Sequence, residues 1–175
     1  MAYSQARFLA DNEMFEHSEK EERRHADGFC GENLAEAIVW HDEYKRPNGE
    51  DVTTIWYNES ENYDYEAGGF HPDCAQFTQL IWRATRMFGI AFAEYEPSDA
   101  KGFVKTVIVA NYFPCGNVEN QFKENIGEPM QTSGPDQQSK LQRKIEQYRR
   151  KKARHGNQKY SIFGGRQVTS PGNLA

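Results

Sequence analysis

The segment Phe103–Phe113 constrains the fold more than any other part of this 175-residue chain. Its run Val107-Ile108-Val109 is apolar at consecutive positions, so a strand built on it would bury both faces, as central strands do. A second strand is predicted at 88–93, and Pro97-Ser98-Asp99 is typical of the turn between them. The sequence therefore predicts an antiparallel hairpin with a buried central strand.

Helical patterns surround this hairpin. Ala2, Ala6, Leu9 and Ala10 recur at helical spacing and predict a helix over 2–15, whereas the charged stretch 18–27 is expected to be a loop. Three further helices are predicted over Leu34–Tyr44 with Asn33 as N-cap, over 52–65 after the turn Pro47-Asn48-Gly49, and over 76–84. Helices around a small antiparallel sheet indicate a layered α+β domain.

Charge divides the chain into an acidic body and a basic arm. The net charge is -5, but residues 1–138 carry -14 and residues 139–175 carry +9. The run Arg149-Arg150-Lys151-Lys152 is the candidate contact with an anionic membrane; a solvated face is the alternative, and nucleic acid is not expected because aromatic residues are not interleaved. Residues 127–139 have a linker composition, and no apolar run reaches the roughly 20 residues of a membrane span.

Four ordered motifs carry a family resemblance. They are Cys30-Gly31-Glu32-Asn33-Leu34-Ala35, Trp56-Tyr57-Asn58-Glu59, the segment from Cys74 to Thr85, and Ala110 to Val118. In this order and spacing the chain resembles the CAP superfamily, which comprises cysteine-rich secretory, venom-allergen-like and pathogenesis-related proteins. It is most similar to the Golgi-associated pathogenesis-related branch. The resemblance implies an α-β-α sandwich with a small antiparallel sheet.

The same resemblance predicts an unusual domain organisation. Residues 1–126 resemble a CAP domain without its first helix, and 140–175 resemble the start of such a domain, with Tyr148-Arg149 and His155-Gly156 as markers. A slice of a tandem array, a circular permutation or an imperfect gene model would each give this order. We expect Leu141 to His155 to form a helix that docks on its own body or on a second copy; a free basic arm is the alternative.

The resemblance also implies a cleft of two histidines and two glutamates. Three of these positions match His17, Glu32 and Glu59, but Gln76 occupies the second histidine position. Two imidazoles and two carboxylates suit a divalent metal or a proton relay, whereas an amide oxygen is a poor zinc ligand. His17 is the candidate metal ligand, His71 is an alternative spatial substitute for the lost histidine, and no cofactor is expected. The cleft is then structural or ligand-facing.

The three cysteines, Cys30, Cys74 and Cys115, are too few for a disulfide framework. Cys74 matches a cysteine of the secreted plant members, but Ala110 stands where its usual downstream neighbour would be. A reducing compartment is favoured, with a cytoplasmic, Golgi or other membrane-associated location. An extracellular location remains the alternative if the chain belongs to a secreted precursor.

Three functions follow as hypotheses. The first is a non-enzymatic CAP-domain protein that binds lipid, sterol or an anionic membrane and interacts with proteins, including a second copy in a homodimer. The second is a secreted, allergen-like protein derived from a tandem-domain precursor. The third is a metal-dependent hydrolase, against which Gln76 counts.

Overall fold

The computed structural model describes residues 1–129 and the backbone of residues 160–164. The α-helices of this part are α1 Ala2–Asp11, α2 Gly49–Asn58, α3 Ala75–Leu80 and α4 Phe122–Asn125. Its strands are β1 Arg24–His25, β2 Gly28–Phe29, β3 Gly31–Trp40, β4 Met87–Tyr95, β5 Phe103–Phe113 and β6 Tyr160–Gly164. The architecture is α+β, as the sequence predicts.

A four-stranded antiparallel sheet forms the centre, in the order β4-β5-β3-β6. Strand β5 pairs with β4 on one side and with β3 on the other, which confirms the prediction of a buried central strand. The apolar run of β5 is fully buried because helices cover both faces of the sheet. Strand β6 pairs with Ala35–Val39 of β3 and is the outer strand of the sheet on that side.

The predicted helix over Leu34–Tyr44 is wrong. Gly31–Trp40 is a ten-residue strand that pairs with β5 along its whole length. The local composition Glu-Asn-Leu-Ala-Glu-Ala suits a helix, and burial on both faces removes the alternation that would have indicated a strand. Asn33 caps nothing; its Nδ2 donates to the Gln76 carbonyl oxygen at 3.0 Å and to the Tyr112 hydroxyl at 3.3 Å.

Helix α1 covers one face of the sheet. Its small-residue side buries Ala6, Leu9 and Ala10 against the apolar side chains of β3, β4 and β5, as the spacing predicts. The helix ends four residues earlier than predicted. Asn12 donates through Nδ2 to the Phe8 carbonyl oxygen, and Glu13 adopts a positive φ of 53°, so the chain turns away from the helix axis.

Helices α2 and α3 cover the opposite face and complete the α-β-α sandwich. The predicted turn at Asn48 becomes a capping box, in which Asn48 and Asp51 each accept the other's backbone N–H at 3.0 Å. Val52 and Trp56 of α2 pack on Ala35, Ile108 and Ala110 of the sheet. The predicted helix over 52–65 is thus confirmed in its first part and continues as one 3₁₀ turn over Glu59–Asn62.

A smaller aromatic cluster closes the sandwich at one end. The predicted helix over 76–84 is the shorter α3, and its Phe77 packs with Trp82 and with Phe122 of α4. The stretch 18–27, predicted as a loop, contains a 3₁₀ turn at Lys20–Arg23 and then the small hairpin β1–β2. Lys20 and Arg24 lie over the Phe29 ring of this hairpin.

Several predictions concern residues outside the described part of the chain. These are most of the linker over 127–139, the helix over 141–155 and the basic run 149–152. In the part that the structure describes, no helix is both long and apolar enough to cross a bilayer.

Candidate functional site

The first half of the predicted cleft is a buried carboxylate held by three donors. Glu32 lies on β3 with 1% of its surface exposed, and its Oε1 is 2.9 Å from His17 Nδ1 and 3.0 Å from the Ser18 backbone nitrogen. Its Oε2 accepts from the Ser18 hydroxyl at 2.7 Å. Because burial opposes ionisation, it pushes the pKa upward, but the hydrogen bonds from His17 and Ser18 outweigh it. The pKa of Glu32 therefore lies below its ordinary value.

His17 is oriented by this carboxylate. Since Glu32 is an acceptor when ionised, Nδ1 of His17 carries the proton of this contact. Its Nε2 is buried and has no hydrogen-bond partner within residues 1–129. Nε2 of His17 can therefore accept or donate a further hydrogen bond. The neighbouring Glu32 carboxylate already accepts hydrogen bonds through both of its oxygens.

The second half of the cleft is a carboxylate at the start of α3. Glu59 follows α2 directly, and its Oε2 accepts the backbone N–H groups of Gln76 at 2.9 Å and Phe77 at 3.2 Å. Burial raises the pKa of Glu59 to about 7, although these hydrogen bonds act in the opposite direction. Glu59 therefore caps the first turn of α3 and titrates near neutral pH.

Gln76 joins the second half of the cleft to β3. The side chain is 1% exposed, and its Oε1 accepts from the Leu34 backbone nitrogen at 3.0 Å. Its Nε2 is 3.4 Å from Glu59 Oε1. The Leu34 carbonyl oxygen is satisfied in turn by Trp56 Nε1 at 3.0 Å. Gln76 and Trp56 thus bond both backbone polar groups of Leu34, one residue before β6 begins to pair with β3.

The structure therefore brings the four predicted cleft residues together as two pairs. His17 binds Glu32, Gln76 binds Glu59, and the pairs meet β3 at positions two residues apart. His71 does not join them: it is exposed, and its Nδ1 accepts the backbone N–H of Asp73 at 3.3 Å. Within residues 1–129 and 160–164, no three His, Cys, Asp or Glu side chains are arranged to hold a metal ion.

The sequence reasoning missed several residues that complete this site. Ser18 supplies two donors to Glu32, and Asn111 Nδ2 lies 3.4 Å from the same carboxylate. Asn111 is opposite Glu32 in the register of β3 and β5. Ser18 follows His17 directly, but only the pairing of the strands reveals Asn111.

A groove opens beside the first pair. It has a volume of about 410 Å³ and is lined by both apolar and polar side chains: Met1, Ser4, Gln5, Phe8, Ser18 and Glu22. Phe8 and Met1 are exposed by 51% and 45%, so apolar surface borders the groove. Such a mixture suits a small amphiphilic molecule.

The three cysteines are free thiols. Burial raises the pKa of the Cys74 thiol to about 11 and also raises the pKa of Cys30, so neither is readily ionised at neutral pH. The position that the resemblance gave to a partner of Cys74 is Ala110, which lies on β5.

The α-β-α sandwich agrees with the class of protein that the family comparison gives. The family model described as "CAP: Cysteine-rich secretory protein family" matches residues 1–112. The chain therefore belongs to the CAP family, as the four sequence motifs predict.

Two relatives in sequence agree with this assignment. The chain is 38% identical to the human Golgi-associated plant pathogenesis-related protein 1 over 129 residues, which cover 73% of this chain and 72% of the relative. It is 31% identical to the tomato pathogenesis-related protein 1A1 over 120 residues, which cover 67% of this chain but only 59% of that protein. Among solved structures, the Schistosoma mansoni venom allergen-like protein 4 aligns with a TM-score of 0.48 and 20% identity, over 73% of this chain and 71% of that one.

Proposed function

We propose that this chain is a non-enzymatic CAP-domain protein that binds lipid at an anionic membrane surface. The observation that carries the proposal is the buried amide of Gln76. It is hydrogen-bonded to the Leu34 backbone and lies beside Glu59, so its role is structural. Two carboxylates that are each held by backbone and side-chain donors support a scaffold better than a reaction centre.

The groove beside Ser18 supports the lipid part of the proposal. Its volume of about 410 Å³ is within the range of small-ligand sites, and Met1 and Phe8 give it an apolar wall. Ser18 and Glu22 supply polar groups at the same opening. An acyl chain or a sterol would lie against the apolar wall with its polar end toward these side chains.

Charge supports contact with a membrane through the basic arm. The body of residues 1–138 carries -14 and is repelled by anionic lipid, whereas residues 139–175 carry +9. The run Arg149-Arg150-Lys151-Lys152 contributes about 1 kcal/mol per charge near such a surface. We therefore propose this run as the membrane contact.

Vesicle flotation tests both parts. The full chain should float with vesicles that contain phosphatidylserine and stay behind with neutral vesicles. Replacing Arg149, Arg150, Lys151 and Lys152 together by Gln should abolish flotation. A control that replaces four exposed basic residues of the body by Gln should still float: Lys45, Arg83, Lys101 and Lys123.

The outcomes separate the two parts. If the natural chain binds neither vesicle, the membrane proposal is wrong. If the variant of the arm floats as well as the natural chain, the membrane contact lies elsewhere on the protein. A fluorescent sterol tests the groove: Phe8→Glu should reduce its uptake, and equal uptake would exclude the groove as its site.

One observation favours a hydrolase as the second candidate. His17 has a buried Nε2 with no hydrogen-bond partner in the described part of the chain, as a base or metal ligand would. Zinc affinity decides between the two functions. We expect the natural protein to bind zinc more weakly than Gln76→His does, and micromolar or tighter binding by the natural protein would favour the hydrolase.

We also propose a Golgi or other membrane-associated location. The name of the human relative, which is 38% identical, contains the term Golgi-associated and supports this location. The description of the family as cysteine-rich secretory proteins leaves secretion as the alternative. Imaging of the full-length protein with a tag at its C-terminus decides between the two locations.

A further inference from the structure

Strand β4 presents an unprotected apolar edge. It is the outer strand of the sheet, and no other strand in the described residues pairs with its free side. The five residues from Arg86 to Ile90 are all exposed, with Phe88 at 72%, Met87 at 53% and Ile90 at 38%, whereas residues 91–95 are half-buried or buried. Its pairing with β5 runs without interruption, and 87–93 contain no Pro, Lys or other charged residue. Proteins normally block such an edge because it pairs readily with another strand.

The pattern along this edge is self-complementary. Alternate residues share one face of a strand, so Arg86, Phe88, Ile90, Phe92 and Glu94 lie on the same side of the sheet. Read in either direction, the order is charge, aromatic, aliphatic, aromatic and opposite charge. A second copy that runs antiparallel and is centred on Ile90 would therefore place each Arg86 opposite Glu94 of the other copy, and each Phe88 opposite Phe92.

Of the two end charges, Glu94 already forms an ion pair with Arg46 of its own copy. Arg86 Nη1 lies near the carbonyl oxygens of Arg83 and Thr85, and within residues 1–129 it contacts no carboxylate. Glu94 accepts from Tyr44 and Arg46 through Oε1 alone. Its Oε2 is left for a further donor.

Other registers are less favourable. Centring the pair on Gly89 would place Arg86 opposite Phe92 and Glu94 opposite Ala84. Centring it on Ala91 would place Phe88 opposite Glu94. Only the register centred on Ile90 pairs opposite charges and keeps the apolar residues together. On the other face it sets Met87 against Ala93 and Gly89 against Ala91, so large side chains meet small ones.

We propose that β4 is a homodimerisation edge, on which a second copy of this chain adds its own β4 in the antiparallel register centred on Ile90. The product is a continuous eight-stranded sheet with twofold symmetry. The contact of one nine-residue strand per copy is small beside the roughly 800 Å² per partner of a stable complex, so we expect a weak, concentration-dependent dimer.

Sedimentation analysis of the full chain over a concentration series tests the surface. The apparent mass should rise toward the dimer as concentration increases. Ile90→Lys places two lysines on the twofold axis and should keep the protein monomeric. Phe70→Lys is the matched control, since Phe70 is 36% exposed but belongs to the aromatic cluster at α4, and this variant should dimerise normally.

A mixing experiment tests the register. Arg86→Glu and Glu94→Lys each bring like charges together in a homodimer and should each weaken association about tenfold. In an equimolar mixture, a heterodimer sets the introduced glutamate of one variant opposite the introduced lysine of the other. Its second contact is the natural one between Glu94 and Arg86, so heterodimers should recover the natural affinity. Loss of fold alone would not be reversed by mixing.

The outcomes are decisive. Dimerisation that is lost in Ile90→Lys and restored by mixing supports the proposal. A natural chain that stays monomeric up to about 1 mM, the dissociation constant of a very weak complex, overturns it. A dimer that persists in Ile90→Lys places the contact elsewhere, and a mixture without recovery excludes this register.

Discussion

Replacing Gln76 by Ala tests whether this residue is a structural part of the fold. Gln76 is 1% exposed and accepts the Leu34 backbone N–H at 3.0 Å. The substitution leaves α3 in place because Glu59 still accepts the backbone N–H groups at positions 76 and 77. The expected loss therefore comes from the side chain alone.

The magnitude can be worked from the contacts. An unsatisfied Leu34 N–H at a buried site costs about 1–3 kcal/mol. The longer contact with Glu59 at 3.4 Å adds less than about 1 kcal/mol, and the lost methylene adds about 0.8 kcal/mol. We expect the free energy of unfolding to fall by about 2–4 kcal/mol, which lowers the melting temperature by roughly 4–16 °C for a chain of this size.

Urea denaturation followed by circular dichroism is the assay. Gln121→Ala is the control, because Gln121 is exposed and its side chain makes no hydrogen bond within residues 1–129, and this change should stay within about 0.5 kcal/mol. A fall of less than about 0.5 kcal/mol for Gln76→Ala would refute the structural role. A water or a shifted side chain would then have to satisfy Leu34.

Three further predictions follow from the same site and from the helix cap. Burial raises the pKa of Glu59 to about 7, so its contribution to stability is greatest below the ordinary value of 4.5 and declines as pH rises to 7; Glu59→Gln should flatten the stability profile between these values in thermal melts. The pKa of Glu32 is lowered, so its contribution is complete above 4.5 and is lost as pH falls through the lower folded-state value. Glu32→Gln should remove that part of the acid sensitivity, and an unchanged acid transition would contradict this. Asn48→Ala removes the acceptor for the Asp51 N–H and should cost about 1 kcal/mol in chemical denaturation, with Asn48→Ser, which keeps a side-chain acceptor, as a near-neutral control.

The sequence by itself determined the elements whose patterns are local. The spacing of Ala6, Leu9 and Ala10 gives α1, because one side of a helix repeats every three to four residues. The apolar run of β5 gives a strand buried on both faces. The motifs around Glu32 and Glu59 also identified the family, since a motif can be recognised in sequence without any knowledge of its contacts.

Only the tertiary structure decided the rest. Gly31–Trp40 contains residues that favour a helix, yet pairing with β5 along ten residues outweighs this local preference. The role of Gln76 could not be predicted, because its partner Leu34 is 42 residues away in the chain. The pairing of β6 with β3 joins segments more than 120 residues apart, and the free edge of β4 exists only once the order of the strands is known. Contacts between distant segments depend on burial and register in the folded chain, and no local pattern contains either quantity.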